Sequence, residues 1–240
     1  MNAPLAGCTA VVTGASRGIG FATARSLVAS GARVAMLARD RAALDARAAE
    51  LGGSTVPIIC DVTDAAAIAR AADTILRHTG SAPDILVNNA GLFVPQPLDD
   101  TTVDTFARTV DVNLVAPFAL VKAFLPQMRE RGAGHIVTVG SVADRTAFAG
   151  NAAYSASKFG VRALHDVMRT ELKGSGIRTT LVSPGPTDTT IWDAVDLHAT
   201  PGRFPPRTAM LSPDAVAAAI LYAVTQPPAV NIDELRLSSA

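Results

Sequence analysis

Short apolar or β-branched runs alternate with Ala-rich segments of helical period along nearly the whole chain. This alternation constrains the fold more than any single motif does. Strand-like runs at 8–13, 33–38, 55–59, 85–88, 135–140, 178–183 and 234–237 are separated by helical patterns at 18–30, 41–51, 64–79, 102–130, 152–173 and 212–226. Strand, helix and strand in regular succession imply a parallel sheet. Ile85-Leu86-Val87 is apolar at successive positions, so both faces of that strand must be covered. The expected architecture is a doubly wound α/β fold: a seven-stranded parallel sheet with six helices distributed over both faces.

With 240 residues, 49% of them hydrophobic, the chain can bury one large core without a second domain, so residues 1–240 are read as one unit. Lysine plus arginine equals aspartate plus glutamate, 21 against 21, which removes any overall-charge argument for nucleic acid or an anionic membrane. The apolar stretches look interrupted by Gly, Pro or charge before the roughly 20 residues of a membrane span. The segment Met1-Asn2-Ala3-Pro4-Leu5 lacks a basic stretch followed by a long apolar one, so a cytoplasmic protein is expected. Cys8 and Cys60 have no CxxC or Cys/His neighbours and are read as free thiols. One segment leaves the rhythm: 184–212 is Pro-rich, contains the only tryptophan, Trp192, and is read as a substrate lid over 185–211.

The first strand runs directly into Thr13-Gly14-Ala15-Ser16-Arg17-Gly18-Ile19-Gly20, where a helical pattern begins. Glycines allow a tight turn and close approach of the backbone to a pyrophosphate, and the helix N-terminus offers unpaired amides with positive partial charge. Further along, Tyr154 and Lys158 stand four residues apart, and Ser141 lies thirteen residues before the tyrosine. On a helix the phenol and the ammonium share a face, so the cation is expected to stabilise the phenolate and lower its pKa.

The Gly-x-x-x-Gly-x-Gly spacing together with Tyr-x-x-x-Lys resembles the classical short-chain dehydrogenase/reductase family, whose fold is Rossmann-like. The resemblance extends through Asp61-Val62, Asn88-Asn89-Ala90-Gly91, Asn113, Ser141 and Pro184-Gly185, in the family's order. It implies a cofactor site of Gly14, Ser16, Arg17, Gly18, Ile19, Gly20, Arg39, Asp61, Val62, Asn88, Ala90, Gly91, Tyr154, Lys158, Pro184, Gly185, Thr187 and Thr189. Asp61 and Val62 would contact adenine. Where NAD-preferring relatives carry an acidic residue, this chain has Ala38 followed by Arg39. With Arg17, that supplies two guanidiniums for a 2′-phosphate, so NADP(H) is the expected cofactor. Asp40 offers Arg39 a partial counter-charge.

By the same resemblance the catalytic set is Asn113, Ser141, Tyr154 and Lys158. Ser141 would hydrogen-bond the reacting oxygen and Tyr154 would act as acid or base. Lys158 would hold the nicotinamide ribose and lower the tyrosine pKa, and Asn113 would position a water linking the lysine to solvent. The expected reaction interconverts a carbonyl and an alcohol on a small or medium, largely apolar substrate. Alternatives are a 3-oxoacyl thioester reductase and a non-catalytic NADP-binding sensor or scaffold. Phe93, Val94, Ala143, Phe148, Ile191 and Trp192 are the expected pocket walls. His78 is expected to meet terminal carbonyls of its helix; His135, His165 and His198 lack ligand spacing, and no metal is expected. The resemblance also implies a homodimer or homotetramer packed through 102–130 and 152–173; apolar faces such as Phe118, Val121, Phe124 and Leu125 permit it, and an internal sheet face would bury some of them equally well.

Overall fold

The computed structural model of the chain describes residues 3–196 and 204–240. The strands are β1 (Thr9–Thr13), β2 (Arg33–Ala38), β3 (Thr55–Ile59), β4 (Ile85–Asn88), β5 (Gly134–Val139), β6 (Ile177–Pro184) and β7 (Glu234–Leu237). They form one seven-stranded sheet in the order β3-β2-β1-β4-β5-β6-β7, with parallel pairing throughout. The helices are α1 (Gly18–Ala29), α2 (Arg41–Leu51), α3 (Ala65–Thr79), α4 (Val103–Val110), α5 (Ala116–Arg131), α6 (Ala152–Glu171) and α7 (Pro213–Val224).

Successive strand residues belong to two different cores, which is what a doubly wound sheet requires. Val11, Leu37, Leu86 and Ile136 pack with Ile68 and Ile75 of α3, Leu120 and Phe124 of α5, and Met168 of α6. Their neighbours Val12, Met36, Val87 and Val137 pack on the opposite face with Leu27 of α1, Leu44 of α2, and Val216 and Ile220 of α7. Pro57, which lacks a backbone donor, is tolerated because β3 is an edge strand. Asp64 caps α3 by accepting from the Ala66 amide, and Gly80 ends that helix in the left-handed conformation.

Two expectations are corrected. The long helix over 102–130 is not one regular α-helix: a π-helical turn, Asp111–Val115, separates α4 from α5 and carries Asn113. Taken together, Val103–Arg131 spans 29 residues at a mean hydropathy of 1.4, so it is long and apolar enough to cross a bilayer by length and composition. Part of its apolarity serves the core, since Leu120, Val121, Phe124 and Met128 are buried against the sheet, while Val103, Phe106, Val115 and Phe118 stay exposed. Val121 and Phe124 are therefore unavailable as contact residues between subunits; Phe118 is half-exposed.

Strand order reverses at β1, whose neighbours are β2 and β4. In such sheets the crevice outside the carboxyl ends of the strands, at this switch point, is where ligands bind. Thr13, Asn88, Val139 and Pro184 mark those ends here.

Candidate active site

The loops after β1 and β4 are stitched together across the switch point. The Thr13 hydroxyl accepts from the amides of Asn89 (3.0 Å) and Ala90 (2.9 Å), while Asn89 Nδ2 donates to the Thr13 carbonyl at 2.8 Å. Gly14 and Gly18 have φ of +65° and +56°, a conformation that side chains strongly disfavour. Gly20 answers a different demand: a Cβ there would sit 2.3 Å from the Gly14 carbonyl oxygen. Only glycine lets α1 begin so close beneath the loop.

A cleft of about 1660 Å³ opens above these ends. That exceeds the roughly 300–1,000 Å³ typical of pockets for drug-sized ligands, so a dinucleotide and a substrate fit together. Gly14, Ser16, Arg17, Gly18, Ile19, Arg39, Asp61, Val62, Ala90, Gly91, Tyr154, Lys158, Pro184, Gly185, Thr187 and Thr189 line it. Gly20, Asn88 and Asn113 lie behind the wall, and each is buried there. The residues fit a dinucleotide: a glycine cradle, the first amides of a 12-residue helix and two exposed guanidiniums, Arg17 and Arg39, at one end. Asp40 caps α2, its carboxylate accepting from the Ala43 amide at 3.0 Å. Asp61 accepts from the Thr63 amide (3.0 Å) and hydroxyl (2.8 Å). The Thr63 amide chiefly holds its carboxyl below the usual range, with Arg39 and Arg108 adding to the effect.

At the inner end, Ser141 follows β5 and opens a 3₁₀ turn, Val142–Asp144. Its Oγ accepts from the Ala143 amide at 3.1 Å, which leaves its proton for another acceptor. Tyr154 and Lys158 share a face of α6, with Lys158 Nζ 5.7 Å from the centre of the Tyr154 ring. The ammonium donates to the Val139 carbonyl at 2.9 Å. Asn113 reaches the site from the π turn: its Oδ1 accepts from the Leu92 amide (2.8 Å), and its Nδ2 donates to the Leu92 carbonyl and to Ser157 Oγ, both at 2.9 Å. Its side chain thus joins the loop after β4 to α6.

The expected lowering of the tyrosine pKa is not what this arrangement produces. Burial raises Tyr154 above its ordinary value of 10, the hydrogen bond with Ser141 opposes that rise, and the Asp144 carboxylate adds to it. Burial acts more visibly on the lysine, lowering Lys158 to about 8, with Asp144 opposing the fall. Among the described groups the pair is thus a phenol held protonated and an ammonium close to losing its proton.

The substrate end is aromatic. Phe93 meets Tyr154, Trp192 and Phe204 edge-on, with ring centres 4.8, 5.2 and 6.1 Å apart. Val94, Ala143, Phe148 and Ile191 also line the cleft, so the six expected wall residues are all present. Trp192 is anchored by a 2.9 Å hydrogen bond from Nε1 to the Thr187 carbonyl. The expected lid over 185–211 lies partly outside the described residues, as does His198. Its described parts hold two 3₁₀ turns, Thr190–Trp192 and Arg207–Ala209. His78 Nδ1 lies 2.9 Å from the Thr74 carbonyl near the end of α3. His135 contacts Thr180 Oγ1 at 2.8 Å, and burial drives it down to about 3. His165 is buried in α6. Among the described residues no cluster of three or more His, Cys, Asp or Glu side chains could hold a metal, and Cys8 and Cys60 are free.

A family model described as short chain dehydrogenase matches residues 8–199. The chain belongs to that family. A solved short-chain oxidoreductase from a metagenome, in complex with NADP, is 35% identical with a TM-score of 0.84, covering 99% of both chains. An alcohol dehydrogenase from Thermococcus sibiricus complexed with 5-hydroxy-NADP is 30% identical with a TM-score of 0.85, over 97% of this chain and 96% of that one. Glycine betaine reductase ATRR of Emericella nidulans is 39% identical over 97% of this chain, which spans only 19% of that relative's length. The match places this chain in an oxidoreductase family, and both of those solved structures hold NADP or its 5-hydroxy form.

Sequence reading passed over Asp144, Phe204 and Arg207. Asn89 stood inside a recognised run, and only the Thr13 contact reveals its work. Asp144 reads as an ordinary turn residue until its burial is seen.

Proposed function

We propose that this chain interconverts a carbonyl and an alcohol with NADP(H). The observation that carries the reading is the convergence of Ser141, Tyr154 and Lys158 on one wall of a cleft whose other end presents a phosphate cradle and two guanidiniums. When bound, the cofactor supplies or accepts the hydride. In the reducing direction, negative charge grows on the substrate oxygen. Ser141, hydrogen-bonded to Tyr154, can turn its hydroxyl proton there, and Tyr154, held protonated by burial, delivers its own. Lys158 places positive charge 5.7 Å from the centre of the phenol ring, where negative charge is left as the proton leaves. The Asn113 side chain is committed to Leu92 and Ser157, so it braces the loop after β4 against α6.

Tyr154→Phe tests this directly. Carbonyl reduction should fall by roughly 10²–10⁴-fold, the usual worth of a positioned general acid, while NADPH affinity stays within about twofold. Undiminished turnover removes Tyr154 from the role. Comparing kcat/KM for NADPH and NADH tests the cofactor, and a preference for NADH defeats the assignment to Arg17 and Arg39.

A narrower reading concerns the substrate. Aromatic faces attract quaternary ammonium groups, and the cleft carries Phe93, Tyr154, Trp192 and Phe204 near the acid. The likeness to glycine betaine reductase supports a small aldehyde bearing a trimethylammonium group. The aldehyde of glycine betaine should then exceed its neutral tert-butyl isostere about tenfold in kcat/KM, on the order of 1.4 kcal/mol. Equal rates would return the aromatic wall to a general apolar role.

A further inference from the structure

Behind Ser141 lies a carboxylate that the mechanism above does not use. Asp144 is 0% exposed, a position that an acidic side chain occupies only when paired. Its Oδ2 accepts from Ser183 Oγ of β6 and, at 3.4 Å, from the Ser141 amide. Its Oδ1 accepts from Arg145 Nε at 2.9 Å and lies 3.9 Å from Arg162 of α6. Arg145 and Arg162 in turn both pair with Glu234 of β7, the second at 3.4 Å. A Cβ at residue 140 would fall 2.6 Å from Asp144 Oδ2, so Gly140 leaves the carboxylate its space.

We propose that Asp144 is a positioning residue for the acid site: it fixes the turn that aims the Ser141 hydroxyl at the reacting oxygen, and it sets buried negative charge against α6, which carries Lys158. The first part follows from the capping box. Asp144 holds the Ser141 amide while Ser141 Oγ takes the Ala143 amide, so the serine has one outward use for its proton. The second part follows from burial. An ammonium removed from water keeps its proton only with help from nearby negative charge. The groups that touch Asp144 are Ser141 and Arg145 on its own turn, Arg162 on α6, Ser183 on β6 and, through the arginines, Glu234 on β7; Tyr154 and Lys158 on α6 feel its charge. Asp144 lies 3.9 Å from Arg162, one turn along α6 from Lys158, and is the carboxylate that raises Lys158 against burial. The anion also keeps Tyr154 protonated, which suits a donor.

The proposal rests on the carbonyl-reductase reading, and Asp144→Asn separates the two. Asparagine keeps the shape and one acceptor but removes the charge. In protein carrying ¹⁵N-lysine, the three lysines give one buried Nζ signal, Lys158, whose titration needs neither cofactor nor substrate. Its midpoint, expected at about 8 in the unaltered chain, should move to lower pH in Asp144→Asn. In turnover, kcat should fall ~10-fold, a part of the 10²–10³-fold cost of deleting an oxyanion donor, with NADPH affinity retained. An unmoved midpoint with unchanged kcat overturns the proposal. If Asp144→Asn does not fold, Ser183→Ala leaves the charge and removes one donor. It should lower kcat severalfold without moving the Lys158 midpoint, and wild-type kcat there overturns the positioning role. Turnover by the unaltered chain and its loss in Tyr154→Phe test the underlying reading separately.

Discussion

Burial, more than the neighbouring cation, sets the state of Tyr154. The phenol stays protonated because its anion would be poorly solvated, while Lys158 sits at about 8 for the complementary reason. A lowered lysine pKa has a definite sign: the cation is present below about 8 and is lost as pH rises through it. We expect kcat/KM for carbonyl reduction to be flat toward neutral pH and to decline above about 8, a limb that Lys158→Arg should abolish along with most activity. A pH profile without that limb would show that Lys158 is not the controlling group. Gly20 makes an independent residue-scale prediction. Gly20→Ala drives a methyl to 2.3 Å from the Gly14 oxygen, so the phosphate loop must move. Overpacking of this kind costs about 1–3 kcal/mol. Melting temperature and NADPH affinity should both fall, as read by calorimetry and cofactor fluorescence.

Elements were legible wherever local pattern decided them. The Ile85-Leu86-Val87 run reads as a two-faced strand because adjacent residues serve different cores, and the Asp64 and Gly80 caps bound α3 as their chemistry requires. The π turn was not legible, because its content is long-range: Asn113 bonds Leu92 and Ser157, 21 and 44 residues away. Nothing in its neighbours' periodicity encodes those partners. The lid is similar. Arg207 ties its two described ends together, donating to Asp188 at 2.6 Å, Asp193 at 2.7 Å and the Thr189 carbonyl at 2.9 Å. The anchored stretch carries Trp192, so this arginine shapes the substrate wall from outside it. Arg207→Ala should raise KM for the carbonyl severalfold with little change in kcat or melting temperature. A fall in kcat at constant KM would mean that the strap acts on the chemistry instead.

At the scale of the whole molecule, one group of exposed apolar side chains among the described residues gathers on consecutive helices. Val103, Phe106, Val115, Phe118, Phe159 and Val167 are 40–83% exposed, all on α4, α5, α6 or the π turn between them. Exposed apolar surface of this extent marks an interaction face, and a second copy of the chain is the simplest partner because self-association needs no further component. The inner face of the same helices holds Asn113, Ser157 and Tyr154, so association would brace the catalytic wall as well as cover the outer one. Light scattering should therefore find a dimer or tetramer. Phe118→Glu combined with Phe159→Glu places charge at two positions that are 48% and 43% exposed and should shift the population toward monomer, without the core damage that Phe124→Glu would cause. A wild-type chain that stays monomeric at all concentrations would leave that face to a different partner. Monomerised protein that keeps full kcat would show that the wall needs no bracing.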